Sequence, residues 1–277
     1  MSLDNPIVNV APAGTPKKKK KKEIPASVGS LVLLALFLGG WEFYVREFGV
    51  SKLILPAPSL VIGAWYDSLK VPSTWYHTWI TAWETLLGFF FALILGVALG
   101  ALIGKSARLE KMLNPFIVAT QVVPKVALVP LFVVWFGFGI TSKVVIAAVL
   151  AFFPIMLNTA LGVKSVDRGY REVLSSLNAS RIQKITQLEF PSALPYILTG
   201  MEVGVVLSII GAVVGEYLGG SEGLGNLAVK EMNSYNTTAL FAVIMHLSVL
   251  GFVFYAVVVG LRGFLIPWHE SAQVKRN

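Results

Sequence analysis

The stretch REVLSSLNASRIQKITQLEFPSALPYILTG, residues 171–200, changes character partway along, and that change decides the fold. It opens polar, with signals that cap helices, and after Pro191 it enters a long apolar run. Another long apolar run ends at Lys164, just before the stretch. The chain therefore places a capped, basic loop between two segments that are each long enough to cross a bilayer.

The composition of the whole chain is that of a membrane protein. Of its 277 residues, 55% are hydrophobic and only 14% are charged, and the mean hydropathy is +0.72. The apolar residues come in continuous runs of about 18 to 25, which predicts spanning helices rather than the alternating strands of a barrel. Since the chain has no cysteine, disulfides and thiolate metal sites are excluded.

We predict an all-α integral membrane protein with six transmembrane helices. The predicted spans are residues 26–45, 78–103, 112–136, 143–163, 190–217 and 237–264. The predicted organisation is a disordered basic tail (1–24), a transmembrane domain (25–266) with a loop at 164–189, and a C-terminal tail (267–277).

Basic residues predict the orientation of these spans. If both termini are cytoplasmic, the following all fall on the cytoplasmic side: Lys17–Lys22, Lys105, Arg108, Lys111, Lys164, Arg168, Arg171, Arg181, Lys184, Arg262, Lys275 and Arg276. The run Lys17–Lys22 is interpreted as a solvated inside anchor, with recognition of an anionic membrane lipid as the alternative. On the opposite side, the segment 48–76 suggests a short interfacial helix, and 218–236 is expected to be a loop.

Small residues recur every four positions in two of the predicted spans. One stripe is formed by Gly96, Gly100 and Gly104, and the other by Gly200, Gly204, Ser208 and then Gly211 and Gly215. Such stripes allow the backbones of neighbouring helices to approach closely in lipid. They predict packing within one subunit, with the seam of a homodimer as the alternative.

One motif suggests nucleotide binding but does not fit it. GALIGKS, residues 100–106, has three residues between its glycines where a phosphate-binding loop has four. It also ends a membrane helix instead of following a strand. We therefore expect no ATP site on this chain, so that any ATP chemistry lies on another one.

The loop itself predicts a helix, a sharp bend and a second helix. Asp167 is expected to cap a first helix because its side chain can accept a free backbone N–H. Asn178 is suited to end that helix, since asparagine tolerates the left-handed conformation. The first helix would carry Arg168, Arg171 and Glu172 and run to Leu177.

A capping box is predicted to start the second helix. Ser180 and Gln183 have its Ser-x-x-Gln spacing, and the helix would end at Pro191, the head of the fifth span. The result is a docking knob on a basic surface. On physical grounds alone, an ordinary cytoplasmic loop remains the alternative.

The opening stretch resembles the EAA loop of the permease subunits of ATP-binding-cassette (ABC) importers. That pattern is roughly Glu-Ala-Ala, three residues, Gly, then nine or so residues to Ile/Leu-x-Leu-Pro. Glu172 stands at the Glu, Asn178 at the Gly and Pro191 at the Pro, whereas the bulkier Val173 and Leu174 replace the alanines.

Four further segments are similar to the nitrate, sulfonate, taurine and pyrimidine-precursor branch of these permeases, so the resemblance runs from about residue 60 onward. They are LLGFFFALILGVALGALIG, VPLFVVWFGFGITSKVV, FFPIMLNTALGVKSV and GEYLGGSEGLGNL.

The resemblance implies a type I importer permease in a bacterial inner membrane that is not itself an enzyme. Two copies of the permease would form the pathway, and two separate ATPase subunits would bind ATP and Mg. A periplasmic or lipid-anchored solute-binding protein would deliver the solute, and no nucleic acid is expected as a partner. The ATPase-coupling residues would be Asp167, Arg168, Arg171, Glu172, Leu177, Asn178, Ala179, Ser180 and Arg181, with Glu172–Ser180 as the coupling helix.

Polar groups at membrane depth are the candidate pathway residues, because an ionised group there costs about 2.5 to 3.5 kcal/mol and usually faces protein or water. Gln121 and Lys125, four residues apart, are expected on one helix face, and Lys125 is expected to pair with Glu84 or Glu202 or to attract an anion. A buried structural ion pair is the alternative. Glu216 and His246 are expected at the outer surface or in helix contacts. The predicted pathway residues are Glu84, Gln121, Pro124, Lys125, Asn158 and Glu202.

The sequence leaves the solute open between an anion of the nitrate, sulfonate or taurine type and a pyrimidine or aromatic compound. The segment QVVPKVALVPLFVVWFGFG, together with Glu84, resembles permeases for pyrimidine precursors or aromatic solutes more than those for taurine. A self-contained secondary transporter or channel is the alternative function. The capped loop argues against it, and so does the lack of inverted halves with matching broken helices.

Overall fold

The structure, a computed structural model, describes residues 26–267, and within them the side chains of 28–267. This part of the chain is helical and contains no strand. The predicted basic tail, with Lys17–Lys22, and Lys275 and Arg276 lie outside the described residues. The helices are α1 (Ala26–Glu47), α2 (Pro58–Ser68), α3 (Pro72–Lys105), α4 (Ala107–Val122), α5 (Val129–Phe136), α6 (Ile140–Lys164), α7 (Arg168–Ser176), α8 (Arg181–Lys184), α9 (Phe190–Gly219), α10 (Leu224–Asn233) and α11 (Thr237–Leu265).

Five helices are long and apolar enough to span a membrane, and a bent pair, counted as one span, makes six. Five of the six predicted spans are present as single helices and the bent pair lies where the remaining one was predicted, and the bounds shift by several residues. In the second span, α3 begins at Pro72 rather than at residue 78. Proline fits the first turn of a helix, where its missing N–H would have no partner.

The third span is not the continuous helix that was predicted over 112–136. Helix α4 ends at Val122, a 3-10 turn covers Lys125–Leu128, and α5 follows at an angle of 81° to the first segment. Pro124 stands in the break because it cannot donate the backbone hydrogen bond that would continue α4. Gly137, with a φ of 81°, ends α5. We call Ala107–Phe136 the bent span.

Helices α3, α6 and α9 form the core, with α6 packed between the other two. The glycine stripe of α3 lies against α6: a Cβ at Gly100 would lie 2.7 Å from Thr159 Cβ. The stripe of α9 lies on the other side of α6, where a Cβ at Gly211 would lie 2.6 Å from Ala147 Cα. The prediction that both stripes pack within one subunit is confirmed.

The molecule has two ends, which we name from the connections that they carry. The loop end holds residues 105–107, the loop 164–189 and the end of α11, and the far end holds α2, residues 137–139 and α10. The interfacial helix predicted within 48–76 is present as α2. Its N-terminus is capped by a residue of another helix, since Ser59 N donates to Glu42 Oε2 of α1 at 3.0 Å. The expected loop at 218–236 contains α10, which was not predicted.

Candidate functional site

The first helix of the loop is capped at both ends as predicted. Asp167 Oδ1 accepts from Gly169 N at 2.6 Å, so α7 begins at Arg168. At the other end Asn178 has a φ of 56°, and two backbone bonds close a Schellman motif. Asn178 N donates to Ser175 O at 3.0 Å, and Ala179 N donates to Leu174 O at 2.9 Å. The bend is therefore fixed by local hydrogen bonds.

The predicted capping box is also present. Gln183 N donates to Ser180 Oγ at 3.2 Å, and Ser180 N donates to Gln183 Oε1 at 2.7 Å. Lys184 Nζ donates across the bend to Ser175 Oγ at 2.9 Å. We call residues 167–184 the knob, and these bonds make it one rigid unit.

The second helix of the loop was expected to end at Pro191, but it continues past that residue. Helix α8 passes into a π-helical turn (Ile185–Glu189) and then into α9, so that one helical run extends from Arg181 to Gly219. Pro191 lies in the first turn of α9, where its lack of a backbone N–H is tolerated, and it therefore does not break the run. The knob is thus joined to a core helix by a continuous helical run.

The knob exposes apolar side chains to solvent. Tyr170, Val173 and Leu177 share one face of α7 by their spacing and are 66%, 57% and 71% exposed. Arg168 and Arg181 lie exposed on the same knob. Exposed apolar faces rimmed by polar groups are typical of protein contact sites.

Charged side chains tie the knob to the ends of the core helices. Arg171 Nη2 of α7 donates to Val163 O near the end of α6 at 3.0 Å and lies 3.9 Å from Glu189 Oε1. Lys105 Nζ, at the end of α3, lies 2.8 Å from Glu189 Oε2. A separate ion pair joins Lys164 to Glu110.

Two predictions about Lys125 are wrong. Gln121 and Lys125 do not share a helix face, because the helix that carries Gln121 ends before Lys125. Lys125 does not pair with Glu84 or Glu202; its Nζ lies over the ring of Phe153, 4.8 Å from the ring centre. Lys125 therefore contacts α6 through the ring of Phe153 and not through a carboxylate.

The remaining predicted pathway residues are held within the subunit. Glu84 pairs with Lys143 at 2.8 Å, and both side chains are almost fully buried. Glu202 lies 3.2 Å from Arg262 Nη1 of α11. Asn158 donates to Pro154 O of its own helix at 2.8 Å. Among residues 26–267, no hydrogen bond or ion pair joins these groups to one another, and a role in the pathway stays a prediction for all six.

Next to Phe153, an open apolar cavity of about 350 Å³ lies between α3 and α6. Its lining comprises Ala92, Leu95, Leu99, Ala148, Val149, Phe152 and Phe153. Because Lys125 stands over one of these rings, the edge of the cavity combines a cation with aromatic surface. That combination suits flat or anionic solutes.

Sequence reasoning missed a buried polar cluster at the far end, which we call the latch (Thr81, Glu84, Lys143, Glu216 and the backbone of 222–225). Glu216 is fully buried and accepts from Thr81 Oγ1 and from Gly225 N, each at 2.6 Å. Lys143 Nζ donates to Glu222 O at 3.3 Å. The latch therefore fixes the segment before α10 to α3, α6 and α9.

Lys143 gave little sequence signal, because a lysine at the start of an apolar run is typical of a span boundary. Glu216 and His246 were expected at the outer surface or in helix contacts, and both make helix contacts. His246 Nε2 lies 2.8 Å from Ser68 Oγ and so joins α11 to α2.

Comparison with known sequences identifies similar proteins over most of the chain. The family described as "Binding-protein-dependent transport system inner membrane component" matches residues 88–264. The formylaminopyrimidine transport permease protein ThiX of Halalkalibacterium halodurans is 37% identical, over 83% of this chain and 92% of the relative. The riboflavin transport system permease protein RibX of Chloroflexus aurantiacus is 35% identical, over 96% of this chain and 98% of the relative.

Solved structures share the fold. An inward-facing structure of the MetNI methionine ABC transporter superposes with a TM-score of 0.60 at 19% identity, over 69% of this chain and 94% of that one. An amino acid ABC transporter solved with histidines gives a TM-score of 0.54 at 17% identity, over 69% of this chain and 92% of that one. The arrangement of helices is therefore that of a type I importer permease.

Proposed function

The chain belongs to the family of binding-protein-dependent transport system inner membrane components, and on that basis we propose how this ABC importer permease subunit works. Two copies of the chain form the pathway. Two ATPase subunits, which bind ATP and Mg²⁺, dock on the knobs, and a solute-binding protein delivers the solute at the far end. The permease chain itself carries no ATP chemistry.

One observation carries this proposal: the knob is rigid, yet it presents an apolar face to water. The hydrogen bonds within residues 167–184 hold that face in one shape before any partner binds. Tyr170, Val173 and Leu177 gain from burial in a cleft, whereas the exposed Arg168 and Arg181 favour acidic side chains on its rim. The ATPase surface that fits is therefore an apolar cleft with an acidic edge.

The loop end faces the cytoplasm of a bacterial inner membrane in this proposal. Its support is the charge of that end, where Lys105, Arg108, Lys111, Lys164 and Arg181 are all found. Closure of the paired ATPases on ATP then biases the pathway between inward-open and outward-open states through the knobs.

We propose a flat heteroaromatic solute of the pyrimidine or flavin type. The names of the two relatives above support this class, and so does the pairing of Lys125 with Phe153 beside the apolar cavity. The alternative is an organic sulfonate, because the putative aliphatic sulfonates transport permease protein SsuC of Bacillus subtilis is 31% identical over 92% of this chain.

Copurification tests the docking of the ATPase on the knob. The detergent-extracted permease should retain the ATPase subunit, and Leu177→Asp should release it, because Leu177 is exposed on the knob and a carboxylate there would put a charge into the apolar cleft and face its acidic edge. Leu53→Asp is the matched control, since Leu53 is also exposed but lies at the far end. Equal retention by both variants would contradict docking at the knob, and an ATP-independent concentrative uptake by the permease alone would favour a secondary transporter.

A further inference from the structure

The carboxylate of Glu189 lies where four parts of the molecule meet at the loop end. Glu189 is the last residue of the π-helical turn that joins the knob to α9. Lys105, the last residue of α3, approaches it to 2.8 Å, and Arg171 of α7 approaches it to 3.9 Å. The same guanidinium donates to Val163 O near the end of α6.

The attraction at Glu189 depends mainly on charge. Its Oε2 is buried and lacks an aligned hydrogen bond, although Lys105 Nζ lies 2.8 Å away. The Glu189 side chain is only 17% exposed, so solvent screens the two cations poorly. Replacement of Glu189 by glutamine therefore removes the attraction and nearly preserves the shape.

A rigid knob can pass a displacement to the core only through its attachments. Among residues 26–267 they include the short link at residues 165–166, the π-helical turn, and the contacts of Arg171. Single π-helical turns are local irregularities in a helix and often occur at functional sites. Without a brace across it, the turn Ile185–Glu189 is the place where a push on the knob would bend the run instead of moving α9.

We infer that Glu189 is a positioning residue that braces this turn by holding α7 and the end of α3 together, so that movement of the knob moves the core as one body. The inference rests on the proposed function, since it assigns the brace to the transmission of ATPase closure. It requires no contact between Glu189 and ATP, the ATPase or the solute.

Spin labels on the full complex test the brace, and no solute is needed. The chain has no cysteine, so Ser221→Cys at the exposed far end gives one label per permease copy. In nanodiscs with the ATPase subunits, the distance between the two labels is compared without nucleotide and with ATP and vanadate. Glu189→Gln should keep ATP hydrolysis within about twofold, while the fraction of complexes that change this distance falls about fivefold or more.

Two further variants make the result specific. Lys105→Met should give a comparable loss, and the double variant should lose no more than Glu189→Gln alone, because Glu189→Gln already removes the attraction between Lys105 and Glu189. Glu110→Gln, which disrupts the neighbouring pair with Lys164, should leave the distance change intact. An undiminished change in Glu189→Gln, or additive losses in the double variant, would overturn the brace. If the distance between the labels does not change with ATP in the unsubstituted complex, the proposed function is wrong, and the inference about Glu189, which rests on it, is wrong as well.

Discussion

The core helices and the bent span are both apolar enough to cross a membrane, but they are held in opposite ways. Helices α3, α6 and α9 meet at their glycine stripes and share a buried ion pair between Glu84 and Lys143. In the bent span, α4 has no buried residue, and α5 buries only Val129 and Val133. The core is thus packed within one chain, whereas most side chains of the bent span are not buried by that chain.

This difference in burial distinguishes residues that stabilise the subunit from residues that are not needed for its packing. The charged groups of the core, Glu84, Lys143 and Glu216, have partners in the same chain, and their loss destabilises the fold. Gln121 is exposed and Lys125 is half-buried on the bent span, and Lys125 has no carboxylate partner among residues 26–267.

Lys143→Met should be strongly destabilising, because it leaves the carboxylate of Glu84 buried without its cation. We expect a loss of about 3 to 5 kcal/mol in the free energy of unfolding. Unfolding of the detergent-solubilised protein, followed by circular dichroism, measures it. The double variant Glu84→Gln with Lys143→Met should recover most of the loss, and equal instability of the single and double variants would contradict a charge-based latch.

Gly100→Ala should force α3 away from α6, since its Cβ would lie 2.7 Å from Thr159 Cβ and closer still to Met156 O. Overpacking of this kind costs about 1 to 3 kcal/mol. The same unfolding measurement applies. Gly40→Ala in α1 is the control, because nothing lies within 4 Å of its Cβ, and it should not lower stability. Similar losses in both variants would show that the close helix contact is not what makes Gly100 necessary.

Lys125→Met should change stability least, because Lys125 Nζ contacts an aromatic ring and has no carboxylate partner among residues 26–267. An exposed cation–π contact is worth about 0.5 to 1 kcal/mol. Uptake of formylaminopyrimidine or of an aliphatic sulfonate by the assembled complex in vesicles should nevertheless fall. Lys125→Ala serves as the second variant, and full uptake by both would remove Lys125 from the pathway.

Much of the knob was predictable because its structure is local. Asp167, Asn178 and Ser180 each act on backbone groups within a few residues, so their types and spacing suffice to predict the caps and the bend. The junction with α9 was not predicted. Pro191 suggested a break, but a proline in the first turn of a helix is compatible with the π-helical turn before it.

The spans and the glycine stripes were likewise determined by the sequence alone, because hydrophobic length and small-residue spacing are constrained by the bilayer and by close helix contact. The partners of the charges were decided only by the tertiary structure. Lys143 and Glu84 are 59 positions apart, and they meet because the glycines set how closely and at what register α3 packs on α6. The expected pairing of Lys125 with a carboxylate is absent for a related reason. The 81° bend turns Lys125 away from the helix face of Gln121 and places it over Phe153.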